Sequence, residues 1–149
     1  GKQIRRNHQS LQRHQYLFLL MRRTNKKLVQ SNGCILPFPD ESFECAISSQ
    51  VIEHIPDEGG KLIDELDRVL KPGGIMVLGT PDYGNWEWRV TERLYDWFAP
   101  GAYADEHVTH YTFASLKEAL VRRGYDVLDH RYILRGELIF KARKRASHL

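Results

Sequence analysis

Two apolar segments with the composition of buried strands dominate the middle of this chain. Residues 43–49 and 75–78 are mostly apolar, which is typical of strands covered on both faces. Lys71-Pro-Gly-Gly74 is a turn that ends the intervening helix. The order strand, helix, strand predicts a parallel, right-handed crossover in an α/β sheet. The helix itself is predicted from apolar residues at steps of three and four, namely Leu62, Ile63, Leu66, Val69 and Leu70.

Segments on either side extend this pattern. Residues 8–24 predict a helix, and residues 28–30 are a candidate for a short strand. Residues 114–124 predict an amphipathic helix, and residues 125–134 and 137–142 predict an antiparallel hairpin at the sheet edge. The side chains expected to face inward from the helix are Leu116, Ala119 and Leu120.

Residues 82–113 have a different character. They are rich in Trp, Tyr and Phe without a clean period, although residues 88–97 could form a helix. Such side chains are suited to covering apolar or sugar surfaces, because they combine large apolar area with polar edges.

Length and cysteine content restrict the class of protein. A chain of 149 residues is sufficient for one domain with a real core. Cys34 and Cys45 provide no disulfide framework, and the apolar run at residues 16–21 is far too short for a bilayer span. Basic residues follow that run in place of a cleavage site, which argues against a signal peptide. We expect a cytoplasmic protein.

Charge is distributed unevenly along the chain. Residues 1–39 carry eight Lys or Arg and no acidic residue, whereas all nineteen acidic residues lie in residues 40–140. A basic N-terminus could bind nucleic acid, or it could keep the protein in solution. No interleaved aromatic platform or zinc-finger spacing supports nucleic-acid binding, so it is the weaker interpretation.

Three motifs together carry a family resemblance. Leu36-Pro-Phe-Pro-Asp-Glu-Ser-Phe43, the strand end Ser48-Ser-Gln-Val-Ile-Glu-His-Ile55 and Leu70-Lys-Pro-Gly-Gly74 follow one another at characteristic spacing. With the closing helix and hairpin, they resemble the class I S-adenosylmethionine-dependent methyltransferases over residues 28–144. The resemblance implies a Rossmann-like α/β sheet of parallel strands with an antiparallel C-terminal edge hairpin. Relative to the family it is truncated at the N-terminus, without the first strand, first helix and second strand.

The resemblance also divides the chain by role and implies S-adenosylmethionine as cofactor. One domain over residues 1–149 is expected, and no Gly-x-Gly-x-Gly loop or ribose-binding acid occurs in it. Its parts are a basic helical N-terminus (1–27), cofactor-side strands (28–81), an aromatic lid (82–113) and a C-terminal helix and hairpin (114–144). By position in the family motifs, the cofactor-binding residues are Asn32, Gly33, Ile35, Leu36, Ser49, Gln50 and Val51.

Three histidines are candidates for catalysis. Methyl transfer to oxygen or nitrogen often requires deprotonation of the acceptor, and a histidine can serve as the base near neutral pH. His54 follows the second motif, and His107 and His110 lie in the aromatic segment. Structural roles are the alternative: Glu53 at a helix start or His54 as a capped histidine, and His107 before a helix capped by Thr112. Asp105 and Glu106 could join the latter two histidines around a metal, but no third cluster supports this, so no metal site is predicted.

The sequence leaves the function open between three hypotheses. The first is methyl transfer to a small-molecule or a glycan- or lipid-like acceptor. The second is a catalytically inactive methyltransferase fold that serves as a binding or oligomerisation module, and the third is nucleic-acid binding. Because the family's central first strand is missing, residues 43–49 would present an unpaired edge. Residues 28–31, the N-terminal helix or a second copy could cover it, and we predict a homodimer.

Overall fold

The computed structural model describes residues 29–56, 60–98, 107–133 and 136–146. The chain divides into two units, residues 1–31 and 32–149, and the architecture that follows is that of the second. Four strands and three helices are described in it. In chain order they are β1 (Phe43–Ser49), α1 (Gly60–Val69), β2 (Leu70–Pro81), α2 (Trp86–Phe98), α3 (Phe113–Arg122), β3 (Tyr125–Ile133) and β4 (Glu137–Lys144).

The strands form one mixed sheet in the order β1-β2-β4-β3. β1 and β2 are parallel neighbours, with Cys45 opposite Ile75 and Ser49 opposite Gly79. β4 pairs antiparallel with both β2 and β3. The parallel pair joined through a helix and the C-terminal antiparallel hairpin, both predicted from the sequence, are confirmed.

The Pro-Gly-Gly turn lies inside a strand and not between two elements. α1 ends at Val69, and β2 begins at Leu70, five residues before the predicted strand. Phe43 pairs with Leu70 and Cys45 with Ile75, so the intervening residues bulge out of the ladder. Gly73 has φ +78°, a conformation that glycine adopts at no steric cost. The glycines thus allow the helix to pass directly into the strand.

The core lies between one face of the sheet and helices α1 and α3. Residues facing each other across β2 and β4 are buried, and the predicted apolar faces of both helices pack with them. Removal of this apolar surface from water is the main stabilising contribution to such a fold. The buried residues include Met76, Leu78, Leu138, Phe140 and Ala142 from the strands, and Leu62, Ile63, Leu66, Leu116, Ala119 and Leu120 from the helices.

β1 departs from its prediction. It was expected to be covered on both faces, but Ile47 is 72% exposed and Phe43 is 36% exposed. Within the described part of the chain, β1 pairs with β2 alone. The strand candidate at residues 28–30 is also wrong where it can be assessed, since residues 29–31 form no strand. An apolar composition indicates a strand, but it does not reveal which neighbours cover it.

The C-terminal half follows its sequence signals closely. Thr112 caps α3 by accepting a hydrogen bond from Ser115 N, and the Ser115 side chain accepts from Thr112 N in return. Gly124, with φ +81°, follows the end of this helix. The helix expected at residues 88–97 is α2. No helix among the described residues is long and apolar enough to cross a bilayer.

The predicted helix at residues 8–24, within the basic N-terminus at residues 1–27, falls outside the described residues. Both cysteines are free thiols, Cys45 exposed and Cys34 partly buried, in agreement with the expected lack of a disulfide framework.

Truncation of a core residue in α3 should reveal how much the helix depends on packing. Leu116 is fully buried, so Leu116→Ala should lower the free energy of unfolding by about 2–5 kcal/mol. The matched control is Val121→Ala on the same helix. Val121 is 44% exposed, so this change should stay within about 0.5 kcal/mol. Urea unfolding followed by circular dichroism measures both, and equal losses would contradict this packing.

The homodimer stays a prediction, and β1 indicates how to test it. We expect light scattering to give a mass of twice 17.4 kDa. A lysine in place of Ile47 should shift the protein toward monomer, because a charge on an exposed strand opposes edge pairing. Val121→Lys, a similar change on α3, should leave the mass unchanged. A monomeric wild-type protein at micromolar concentration would contradict the prediction.

Candidate functional site

The chain turns sharply where β1 ends. Gln50 has φ +56°, and its backbone N–H donates to Gly79 O at 2.9 Å. A Cβ on Gly79 would lie 2.8 Å from Ser49 Oγ, so a larger residue there would force the Ser49 side chain to move. The Ser49 hydroxyl also donates to Glu137 Oε1 at 3.2 Å. The predicted cofactor residues 49–51 therefore lie at the carboxyl ends of the parallel strands, where ligands bind in open α/β sheets.

A buried carboxyl group follows directly, in the short 3-10 turn Ile52–His54. Glu53 is fully buried, and its Oε2 accepts from the Thr80 hydroxyl at 3.3 Å. Its Oε1 has no hydrogen-bond partner in the described part of the chain. Burial raises the pKa of the Glu53 carboxyl, and the negative charge of Glu137 raises it further. The backbone oxygen of Glu53 accepts from Val108 N and Thr109 N at 2.8 and 3.1 Å.

His54 and His107 lie beside this carboxyl group, and His110 joins them through Tyr83. His54 Nε2 lies 3.9 Å from Glu53 Oε1, and the rings of His54 and His107 are 4.9 Å apart. The Tyr83 hydroxyl and His107 Nδ1 form a hydrogen bond of 2.6 Å. The rings of Tyr83 and His110 are 4.2 Å apart. Segments separated by some fifty residues in the sequence thus contribute to one polar cluster.

Asp82 fixes the loop that carries Tyr83. Its Oδ1 accepts from Gly84 N at 2.9 Å and from Phe113 N at 3.2 Å. Its Oδ2 accepts from the Tyr132 hydroxyl at 2.7 Å. Partial burial, together with this carboxylate, raises the pKa of Tyr132 to about 12. Asp82 therefore joins the end of β2, the start of α3 and strand β3.

Three more predicted cofactor residues, Asn32, Gly33 and Ile35, share one tight turn, and the fourth, Leu36, follows it. Asn32 Oδ1 accepts from Cys34 N at 2.9 Å, and Asn32 O accepts from Ile35 N at 2.9 Å. Gly33 lies inside this turn. The Ile35 side chain is 72% exposed, whereas Leu36 packs against the core. An exposed isoleucine beside a side-chain amide could cover and bind a flat heterocycle, and this role stays a prediction.

A charged pair on α1 holds the adjoining loop. Glu65 Oε2 accepts from Leu36 N at 2.7 Å and from the Arg68 guanidinium at 2.9 Å. Arg68 also donates to Leu36 O, Phe38 O and Asp40 Oδ1 at 3.0, 2.9 and 2.6 Å. These hydrogen bonds lower the pKa of Glu65 to about 2. We call Glu65 and Arg68 the loop clamp.

Tyr83, Asp82 and the loop clamp were not predicted from the sequence as site residues. Glu53 was placed directly after the first strand, near where an acceptor would meet the methyl group, but a helix-start role was the favoured interpretation. Asp82 and Tyr83 could have been predicted from their position, because they directly follow the carboxyl end of the second strand, where ligands bind in α/β sheets. The loop clamp could not be predicted from the sequence, because a Glu and an Arg three residues apart on a helix usually form an exposed pair.

Comparison with known proteins identifies the family. The profile of a family described as a methyltransferase domain matches residues 4–78, half of the chain. The chain belongs to the class I S-adenosylmethionine-dependent methyltransferases. This confirms the resemblance found in the sequence motifs.

Methyltransferase relatives agree with this assignment. A probable S-adenosylmethionine-dependent methyltransferase of Mycolicibacterium smegmatis is 33% identical over 104 residues, which are 68% of this chain and 35% of that protein. A sterol 24-C-methyltransferase of Gibberella zeae is 39% identical over 70 residues, 47% of this chain and 16% of that protein. The chain thus spans about a third or less of the length of these relatives.

Solved methyltransferase structures share the fold. An S-adenosylmethionine-dependent methyltransferase of Thermotoga maritima superimposes with a TM-score of 0.66 at 17% identity, covering 83% of this chain and 67% of that one. A 1,6-didemethyltoxoflavin-N1-methyltransferase of Burkholderia thailandensis, solved with bound S-adenosylhomocysteine, superimposes with a TM-score of 0.62 at 17% identity. The match covers 87% of this chain and 56% of that one. The predicted Rossmann-like α/β fold is therefore confirmed.

The loop clamp should make stability depend on acid pH. Glu65 has a lower pKa in the folded protein than its ordinary value of 4.5, so its contribution is present above that pH. The contribution is lost as the pH falls from 4.5 toward about 2. Wild type should therefore exceed Glu65→Gln in unfolding free energy near neutral pH, and the difference should shrink in acid. Urea unfolding at a series of pH values measures it.

The control for the clamp is Glu118→Gln. Glu118 and its partner Arg122 are 67% and 70% exposed and 3.8 Å apart, so this change should have little effect at any pH. A difference between wild type and Glu65→Gln that stays constant down to about pH 3 would contradict the clamp.

Proposed function

We propose that this chain acts in S-adenosylmethionine-dependent methyl transfer to a small-molecule or a glycan- or lipid-like acceptor. The observation that carries the proposal is the polar cluster beyond residues 49–51. In it, His54, His107, His110 and Tyr83 converge at the carboxyl ends of β1 and β2. Because the chain belongs to a family with an open α/β sheet, this position is where a ligand is expected to bind.

The residues present fit part of the cofactor. Ile35 offers an exposed apolar surface for adenine beside the amide of Asn32, and residues 49–51 form a turn beside which the methionine part could lie. When bound, the cofactor supplies a methyl group on a sulfonium. The sequence contains neither a Gly-x-Gly-x-Gly loop nor an acid in residues 1–39 for the ribose. We therefore expect weak binding by this chain alone.

Exposed aromatic side chains support an acceptor with an apolar or sugar surface. Trp86 and Trp97 on α2 are 71% and 75% exposed, which is unusual for such large side chains. Tryptophan binds sugar faces and apolar rings well, because its side chain offers a large, flat apolar surface. A histidine of the polar cluster as general base, an aromatic lid and a cytoplasmic location all stay predictions.

An inactive methyltransferase fold that serves as a binding or oligomerisation module is the second candidate. The exposed strand β1, with Ile47 at 72% exposure, favours it. Nucleic-acid binding by the basic residues 1–39 is weaker, and it would appear as binding of generic DNA or RNA that weakens steeply with salt.

Calorimetric titration with S-adenosylhomocysteine tests the proposal. We expect binding, and we expect Ile35→Ser to weaken it about fivefold, since roughly 1 kcal/mol of apolar burial is lost. The control is Ile133→Ser on β3, where the side chain is 46% exposed and far along the sequence from the cofactor motifs.

Three outcomes distinguish the candidates. Binding that only Ile35→Ser weakens supports cofactor binding at the Asn32–Ile35 turn. Equal effects of the two serine variants contradict that placement. No binding up to about millimolar cofactor contradicts the proposal for this chain and favours the inactive module.

A further inference from the structure

A carboxylate oxygen and two imidazole nitrogens converge inside the polar cluster. One ligand atom from each of Glu53, His54 and His107 lies within 4.8 Å of the other two. Glu53 and His107 are buried, whereas the His54 side chain is 39% exposed. Three ligand atoms this close could surround a single ion after small side-chain shifts, and the exposed histidine leaves a path for its entry.

One oxygen of the Glu53 carboxyl, Oε1, is buried without a hydrogen-bond partner among the described residues. A buried polar atom in that state destabilises a protein by about 1–3 kcal/mol, and more if it is charged. His54 Nε2, at 3.9 Å, is beyond hydrogen-bonding distance. A cation between the two side chains would satisfy this oxygen.

We propose that Glu53, His54 and His107 bind one divalent transition-metal ion. Two imidazoles with one carboxylate favour ions such as Zn²⁺, Mn²⁺, Fe²⁺ or Co²⁺ over Mg²⁺ and Ca²⁺, which prefer oxygen ligands alone. Three protein ligands leave coordination positions open, as in catalytic metal sites. Water or an acceptor oxygen could occupy them, although the latter role rests on the proposed function.

Neighbouring residues are suitable for orienting these ligands. Metal-bound histidines usually donate their second ring N–H to an oxygen, which fixes the tautomer. The Tyr83 hydroxyl, 2.6 Å from His107 Nδ1, can accept that hydrogen bond.

Backbone hydrogen bonds hold the two ligand segments at a fixed spacing. Glu53 O accepts from both Val108 N and Thr109 N, and the Thr109 hydroxyl donates to Ile55 O at 2.7 Å. The segment with Glu53 and His54 is thus tied at three points to the segment that follows His107. Such support allows a metal site to form without rearrangement of the chain.

These three proposed metal ligands differ from the four residues that the sequence suggested as a possible metal group. That group joined His107 and His110 to Asp105 and Glu106, which lie outside the described residues. In the structure, the ring of His110 lies against Tyr83. The two ligands that accompany His107 come from a turn more than fifty residues earlier.

The test is titration of the full chain with Co²⁺ after dialysis against a chelator, followed by visible absorption. Zn²⁺ competition and elemental analysis then give affinity and stoichiometry. We expect one ion per chain. Glu53→Gln, His54→Ala and His107→Ala should each weaken binding by more than about 100-fold, and Tyr83→Phe by about 10–100-fold, as for other outer ligand contacts.

Two controls keep the result interpretable. His130→Ala removes a histidine on β3 and should leave the affinity unchanged, which excludes general binding to histidines. Because the His54 side chain is partly exposed, His54→Ala should keep the fold, as checked by circular dichroism, even if Glu53→Gln does not. Absence of binding by the wild type, or equal binding by His54→Ala, would overturn the proposal. No methyl donor is present, so this result is independent of methyl transfer.

Discussion

Parallel pairing of β1 with β2 is the constraint on which the site depends. Parallel strands end at the same edge of a sheet, so Ser49 and Gly79 lie opposite each other and the loops that follow must meet. The chain leaves β1 into Glu53 and His54, and it leaves β2 into Asp82 and Tyr83. A slip of one residue would turn every side chain to the other face and separate these groups.

Much of the fold was predictable because local signals and tertiary packing agree. Several elements are specified by residues close together in the sequence. They are α1 with its apolar period, α3 with its Thr112 cap, and the β3–β4 hairpin. Three motifs at fixed spacing identified the family. Where the sequence misled, the missing information was tertiary: β1 has a buried composition, yet Ile47 is largely exposed.

The site was predictable in its members but not in its organisation. His54, His107 and His110 were candidates from residue type, yet nothing local indicates that Glu53 O binds the backbone after His107. The loop clamp was invisible for a related reason. Arg68 binds residues about thirty positions away, so its role depends on how the loop folds back over α1.

The buried Glu53 connects these observations. An apolar side chain in its place would often be neutral or stabilising, whereas a carboxyl group with one unsatisfied oxygen costs stability. Groups of this kind are concentrated at functional sites, and this one lies where the family fold binds its ligands. Stability alone therefore does not explain why the chain has a glutamate there. The proposed cation would satisfy that oxygen, and its site would include the two histidines, the adjacent tyrosine and the backbone bonds that hold them.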